Sequence, residues 1–150
     1  MNKPYKYFQI TDNVGTSGQP AVEQFSDMSA AGYEAVINLA MHDSEHAIPE
    51  EGNIVAGLGM TYIHLPVPFD HPTLEHLKKF IGIMSALEGK KVWVHCVVNK
   101  RVSAFMYHYL TKMKNFDEER ATSPILREWR RDMSGVWKTF MEIEKNELEL

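Results

Sequence analysis

The chain is organised around the stretch Val92-Trp93-Val94-His95-Cys96-Val97-Val98-Asn99-Lys100-Arg101-Val102-Ser103. Its first four residues are β-branched or aromatic and uncharged, which predicts a short strand buried on both faces. Beyond the arginine, apolar residues recur with a helical period, at Val102, Phe105, Met106, Tyr109, Leu110 and Met113. We therefore predict a strand, a loop that begins at Cys96, and a helix.

The junction between this strand and helix has the composition of an anion-binding site. The amides of residues 97–101 can turn inward around a small anion at a helix start. Lowering a thiol pKa by ~3 units from its usual ~8.5 takes roughly 4 kcal/mol, whereas a helix terminus supplies at most ~2 kcal/mol. Loop amides and Arg101 must supply the rest, and the same groups would hold a phosphate dianion.

These residues resemble the signature of the cysteine-dependent protein tyrosine and dual-specificity phosphatases, which is His-Cys, five residues, Arg, then Ser or Thr. Only four residues separate Cys96 from Arg101, a spacing more similar to that of the bacterial DUF442 or beta-lactamase-hydrolase-like family. The runs Thr16-Ser17-Gly18-Gln19-Pro20 and Ala35-Val36-Ile37-Asn38-Leu39 also resemble segments of that family, so the resemblance covers roughly residues 8–115. Two departures are that Ala40 replaces an arginine and that Asn99 stands where the phosphatase signature has glycine. Asparagine is the non-glycine residue that best tolerates a left-handed backbone.

The resemblance implies a role for each residue of the loop. Cys96 is the expected nucleophile, and the phosphate-binding groups are Val97, Val98, Asn99, Lys100 and Arg101. We expect His95 to orient the loop through hydrogen bonds rather than to act as a base. Ser103 falls seven residues after Cys96, at the place of the signature hydroxyl, and is a supporting residue.

The general acid is expected on another loop. Pro68-Phe69-Asp70 resembles the acid loop of these phosphatases, and Asp70 would adjoin the Cys96 loop if the two preceding strands are neighbours. An aspartate two residues before Pro72 is also typical of a helix N-cap. Asp43 and Glu45, on the loop that follows another strand, are the alternative acids.

The rest of the sequence predicts a single α/β phosphatase-like domain over residues 1–150, with a central, mostly parallel, four- to five-stranded sheet flanked by helices. We expect strands at Tyr7–Ile10, Ala35–Ala40 and Thr61–Val67, and a turn at Asp12–Gly15. The segment Asn115–Glu119 has the pattern of a helix start that Pro124 interrupts, and Ser134 of the cap of a final helix.

The composition of the chain excludes several classes of binding partner. The net charge is −4, with acidic and basic residues interspersed, which argues against nucleic acid and against an anionic membrane. One cysteine cannot form an internal disulfide, and the N-terminus lacks the apolar core of a signal peptide, so we expect a cytoplasmic location, although a chain trimmed of an export signal would look the same. The histidines lack zinc-ligand spacing, and we predict no metal and no cofactor.

Three functions are compatible with this pattern. The leading hypothesis is hydrolysis of phosphate monoesters through a phosphocysteine, with a phosphorylated small molecule or a phosphoprotein as substrate and with phosphate or sulfate able to occupy the loop. The alternatives are rhodanese-like sulfur transfer through a persulfide on Cys96, and a non-catalytic phosphate-binding module. The mass of the adduct on Cys96 separates the three.

Overall fold

The computed structural model describes residues 2–149. Five strands are present in this part of the chain: β1 (Phe8–Thr11), β2 (Val14–Ser17), β3 (Ala35–Asn38), β4 (Thr61–His64) and β5 (Val92–His95). The helices are α1 (Val22–Ala30), α2 (Glu51–Gly57), α3 (Leu74–Ala86), α4 (Lys100–Met113), α5 (Pro124–Arg130), α6 (Gly135–Met141) and α7 (Lys145–Leu148).

The strands form one sheet in the order β1-β2-β5-β3-β4. Only the β1–β2 pair is antiparallel, and the other three pairings are parallel. The sequence prediction of a mostly parallel sheet flanked by helices is therefore confirmed. Because β5 is the central strand, its carboxyl end lies among the loops that follow its parallel neighbours, which is where open α/β sheets bind ligands.

Each face of the sheet carries its own hydrophobic core. Val94 and Val92 of β5 point to the larger core, which α3 and α4 cover together with the C-terminal helices. Trp93 points to the opposite core, which includes Phe25 and Met28 of α1 and Val55 of α2. The alternation explains why Val92, Trp93 and Val94 are all apolar, since both faces of a parallel sheet are buried.

The expected turn at Asp12–Gly15 is too long, because β2 begins already at Val14. The turn is confined to residues 12–13, where the Thr11 hydroxyl accepts hydrogen bonds from the amides of Asn13 and Val14. The sequence of β2, Val-Gly-Thr-Ser, includes a glycine and a serine, which do not favour strands, yet all four residues are buried beside β5. Tertiary pairing overrides local preference here. A Cβ at Gly15 would lie 2.6 Å from the Trp93 ring, so the small residue lets the two meet.

The predicted helix start at Asn115–Glu119 is wrong. That segment is irregular and ends in a turn, in which Asp117 accepts a hydrogen bond from the amide of Arg120. The helix begins instead at Pro124, whose missing N–H costs nothing at the first helical position. Ser123 is its N-cap and accepts from the amide of Leu126 at 3.0 Å. Ser134 does precede the next helix, α6, although its side chain makes no capping hydrogen bond.

None of the helices described within residues 2–149 is long and apolar enough to cross a lipid bilayer.

Candidate active site

The Cys96 loop, residues 96–101, leaves the carboxyl end of the central strand and runs directly into α4. Cys96 is buried, and its amide donates to the carbonyl of Ser17 on β2. Asn99 immediately precedes α4 with φ 66° and ψ 11°, in the left-handed region. The expectation that Asn99 can adopt a left-handed backbone at this turn is confirmed.

The Asn99 side chain ties the loop to its surroundings. Its amide nitrogen donates to the carbonyl of Lys6 at 2.9 Å and to the hydroxyl of Thr16 at 3.1 Å. Its amide oxygen accepts from Ser103 at 3.1 Å, and Ser103 in turn accepts from Ser123 at 2.7 Å. Ser103 therefore acts on the loop through Asn99, and the same chain of hydroxyls links the loop to the cap of α5.

The carbonyls at the start of the loop are held by neighbouring groups. Nδ1 of His95 lies 3.1 Å from the carbonyl oxygen of Cys96, and the amide of Gln19 donates to the carbonyl of Val97 at 3.0 Å. A Cβ at Gly18 would lie only 2.2 Å from the Val97 oxygen, so this close approach requires glycine. The amides of Val97 and Val98 donate to no protein acceptor in the described chain.

His95 forms a buried pair with Glu51, a residue that the sequence did not single out. Nε2 of His95 lies 2.6 Å from the Glu51 carboxylate, and both side chains are almost fully buried. The other carboxylate oxygen accepts from Nε2 of Gln19 at 2.8 Å. Burial alone raises the pKa of Glu51, but the hydrogen bonds and charge presented by its partners, above all His95, outweigh it and leave the pKa below its ordinary value. Glu51 is therefore ionised at neutral pH.

Arg101 is the cation of the site. Its side chain is only 6% exposed, and its Nη1 donates to the carbonyl of Val67 at 2.8 Å. The Nε atom is buried and has no partner within residues 2–149, and no carboxylate there lies within ion-pair distance of the guanidinium. A buried charge without counterion or full hydrogen bonding is costly. The edge formed by Nε and Nη2 has the geometry that binds an oxyanion through two parallel hydrogen bonds.

Asp70 is exposed on the loop that follows β4. The helix-cap alternative for this residue is wrong, because Thr73 caps α3 by accepting from the amide of His76. The strands that precede the Asp70 loop and the Cys96 loop are not neighbours, since β3 lies between β4 and β5. The loop nevertheless reaches the site because Arg101 extends across to bind Val67 at its start.

Aromatic packing holds Phe69 in the loop that carries Asp70. Nε1 of Trp137 donates to the carbonyl of Phe69 at 2.7 Å. The Phe69 ring, 43% exposed, stacks on Trp129 and contacts Trp137, and the Arg101 guanidinium lies 5.6 Å from its centroid. The C-terminal helices thus position the residue next to Asp70.

The alternative acids lie on the loop after β3, which is the direct neighbour of β5. Asp43 and Glu45 are both exposed, and Glu45 pairs with His46 at 3.3 Å. Glu45 also lines a largely apolar groove of about 680 Å³ beside the Cys96 loop. The groove is formed by Tyr5, Gln19, Pro20, Ala21, Val22, Glu45, His46, Ile48, Val97 and Val98. Lys100 points elsewhere, with its ammonium 5.4 Å from the centre of the Trp129 ring.

Within residues 2–149, no three His, Cys, Asp or Glu side chains are grouped closely enough to hold a metal ion.

A central parallel strand that delivers a cysteine into a loop closed by an arginine is the architecture of the protein tyrosine and dual-specificity phosphatases. The core catalytic domain of the PP-IP phosphatase SIW14 from S. cerevisiae shares this fold, with a TM-score of 0.74 at 16% identity over 97% of this chain and 90% of that one.

One solved structure shows the family to which the chain belongs within this fold. The crystal structure of a "putative phosphatase (DUF442)" from Shewanella putrefaciens CN-32 is 32% identical, covers 96% of this chain and 91% of its own, and has a TM-score of 0.83. The chain therefore belongs to the DUF442 family, as its loop spacing indicated.

One curated relative carries the same similarity in sequence. The beta-lactamase hydrolase-like protein of Agrobacterium fabrum is 29% identical over 94 residues, which is 61% of this chain. The chain spans 22% of the length of that relative. No protein-family model matches the chain.

Proposed function

We propose that this protein hydrolyses phosphate monoesters through a phosphocysteine on Cys96. The observation that carries the proposal is the buried guanidinium of Arg101, which lies beside the cysteine loop and finds, among residues 2–149, neither a counterion nor a partner for its Nε atom. A phosphoryl group would supply both the missing charge and the missing acceptor. The unused amides of Val97 and Val98 would bind further oxygens of the same group.

The reaction would proceed in two displacements. In the first, the Cys96 thiolate forms a bond to phosphorus while the bond from phosphorus to the ester oxygen breaks, and Asp70 gives its proton to the departing oxygen. In the second, water attacks phosphorus, the sulfur–phosphorus bond breaks, and the water proton passes to the Asp70 carboxylate. Phosphate leaves, and the thiolate and the protonated acid are restored. Arg101 stabilises the equatorial oxygens in both steps.

The apolar groove beside the loop supports a substrate whose organic part is itself largely apolar, such as an aryl ester of the phosphotyrosine type or a small phosphate ester. Val97 and Val98 form one wall of this groove and belong to the loop that binds the phosphoryl group. An ester held by the loop would therefore have the groove within reach of its leaving group.

Mass spectrometry of the acid-quenched reaction tests the covalent step. During turnover of an aryl phosphate, the peptide that contains Cys96 should gain about 80 Da, the mass of a phosphoryl group. A gain of about 32 Da after incubation with thiosulfate would instead indicate the persulfide of a sulfur transferase. Cys96→Ser should remove the adduct and the activity together, because a serine hydroxyl without a base is a weak nucleophile. A fully active serine variant would exclude the mechanism.

The role of Asp70 has its own test, which uses leaving-group chemistry. Asp70→Asn should slow hydrolysis of phenyl or alkyl phosphates by roughly 10²–10⁴-fold. Esters of acidic phenols should be much less affected, because their anions leave without a proton. Asp43→Asn and Glu45→Gln are the matched controls. Asp70 is not the acid if Asp70→Asn slows every ester equally. If Asp43→Asn or Glu45→Gln instead slows esters more as the pKa of the leaving group rises, the residue changed in that variant is the acid.

A further inference from the structure

The Cys96 loop depends on the orientation of its first two peptide planes. In a trans peptide the C=O and N–H point in opposite directions, so a carbonyl that is fixed toward the protein turns the next amide away from it. The carbonyl of Cys96 is bound by His95, and that of Val97 by the amide of Gln19. The amides of Val97 and Val98 consequently face away from these partners and stay free for an anion.

One carboxylate contacts both residues that hold these carbonyls. Glu51 binds the imidazole of His95 through one oxygen, at 2.6 Å, and the side chain of Gln19 through the other, at 2.8 Å. Glu51 lies at the start of α2, so it joins three separate segments of the chain behind the loop.

The contacts of His95 also determine its protons. Nδ1 faces a carbonyl oxygen, which can only accept, so this nitrogen carries a proton. Nε2 lies 2.6 Å from a carboxylate oxygen of Glu51, which is an acceptor unless it is protonated. Both ring nitrogens therefore face oxygen atoms that accept hydrogen bonds, which is the hydrogen-bonding pattern of an imidazolium. Among residues 2–149, the other ionisable group that faces the pair is the hydroxyl of Tyr62, whose pKa burial raises well above its ordinary value.

We propose that Glu51 is a positioning residue of the active site, which keeps His95 as a buried imidazolium next to Cys96 and fixes the two peptides that present their amides to the phosphoryl group. This inference rests on the proposed function and adds a residue that contacts neither the substrate nor the thiol. The imidazolium places a fixed positive charge one residue from the thiol, where it favours the thiolate. Without the carboxylate, nothing requires His95 to keep its second proton.

Glu51→Gln tests the inference because it preserves the shape of the side chain and removes its charge. Inorganic phosphate should bind this variant roughly 10- to 100-fold more weakly, and iodoacetamide should alkylate Cys96 only at a higher pH than in the unmodified protein. Glu50→Gln is the matched control. It changes an exposed glutamate one residue away, whose carboxylate accepts a hydrogen bond from Asn53, and it should alter neither measurement.

The outcomes separate this inference from the proposed function. If the unmodified protein binds no phosphate, the proposed function fails. If it binds phosphate and Glu51→Gln has the same affinity and the same alkylation profile, the role of Glu51 is overturned while the phosphatase proposal stands. NMR of the unmodified protein gives a second test that does not depend on the folding of a variant. Both ring nitrogens of His95 should carry protons at pH 7, and a neutral ring with one proton would refute the inference.

Discussion

Substitutions of Asn99 test quantitatively how this residue stabilises the Cys96 loop at a position where the phosphatase signature has glycine. Its side chain makes three hydrogen bonds, to Lys6, Thr16 and Ser103, and its backbone adopts a left-handed conformation. The two contributions can be separated by replacing the residue first with glycine and then with alanine. Both variants remove the hydrogen bonds, but only alanine strains the backbone.

The hydrogen bonds set the size of the common effect. A buried hydrogen bond contributes about 0.5–1.5 kcal/mol net, so losing three should cost either variant roughly 2–4 kcal/mol of unfolding free energy. Alanine adds about 1–2 kcal/mol of left-handed strain. The glycine variant avoids this strain, but the greater conformational freedom of its unfolded chain costs it about 0.4–1 kcal/mol of unfolding free energy. We therefore expect Asn99→Ala to be roughly 1 kcal/mol less stable than Asn99→Gly.

Urea unfolding measures both differences. In thermal unfolding the gap between the variants should be about 2–4 °C in Tm for a chain of this size. Asn99→Asp is a useful third variant, since its carboxylate has no N–H to offer the carbonyl of Lys6 and should destabilise the protein most. If alanine is as stable as glycine, the left-handed backbone is not a constraint on this position. If glycine matches the unmodified protein, the side-chain hydrogen bonds do not stabilise the loop.

Two further predictions concern the buried side chains of Arg101 and His108. Arg101→Lys should weaken inhibition by inorganic phosphate roughly 10- to 100-fold, because an ammonium cannot bind Val67 and also present a two-donor edge; an unchanged inhibition constant would contradict this. His108 donates from Nε2 to the carbonyl of Phe140 and has a buried Nδ1 without a partner in the described chain. Burial, and then the nearby charges of Lys112 and Arg130, lower the pKa of His108 to about 4 despite that hydrogen bond. The native state therefore resists protonation while the unfolded chain takes up a proton below its ordinary 6.5, so stability falls as pH falls between these values. Urea unfolding should show a loss of about 2 kcal/mol between pH 7 and pH 5, which His108→Gln should largely abolish.

Much of the central element could be predicted from sequence because its signals are local. Residues 92–103 combine an apolar strand, a turn residue suited to a left-handed backbone and a helical period within a few residues of one another. The parallel sheet follows from the same reasoning, since continuous apolar strands alternate with amphipathic helices. The start of α5 also has a local signal, because Ser123 followed by Pro124 is a typical N-cap and first helical residue. The acidic residues at 117–119 nevertheless led to the prediction of an earlier start.

The residues behind the loop could not be found in this way. Glu51 lies 44 positions from His95, and in the sequence it is one acidic residue among several in a polar loop. The strand β2 has no apolar pattern of its own, and its pairing with both β1 and β5 is visible only in the tertiary structure. The contact between Arg101 and Val67, which joins the Asp70 loop to the Cys96 loop across an intervening strand, likewise depends on the order of strands in the sheet.

The sequence by itself thus determined the cysteine, the arginine and the helix that presents them, because hydrogen bonding and side-chain period act over a few neighbouring residues. The tertiary structure alone decided which distant groups complete the site. Glu51, Gln19 and Val67 gain their roles only when the packing of the two cores aligns the parallel strands and brings the loops together at one edge of the sheet. Burial then makes each contact consequential, since a polar group removed from water must find a partner within the fold.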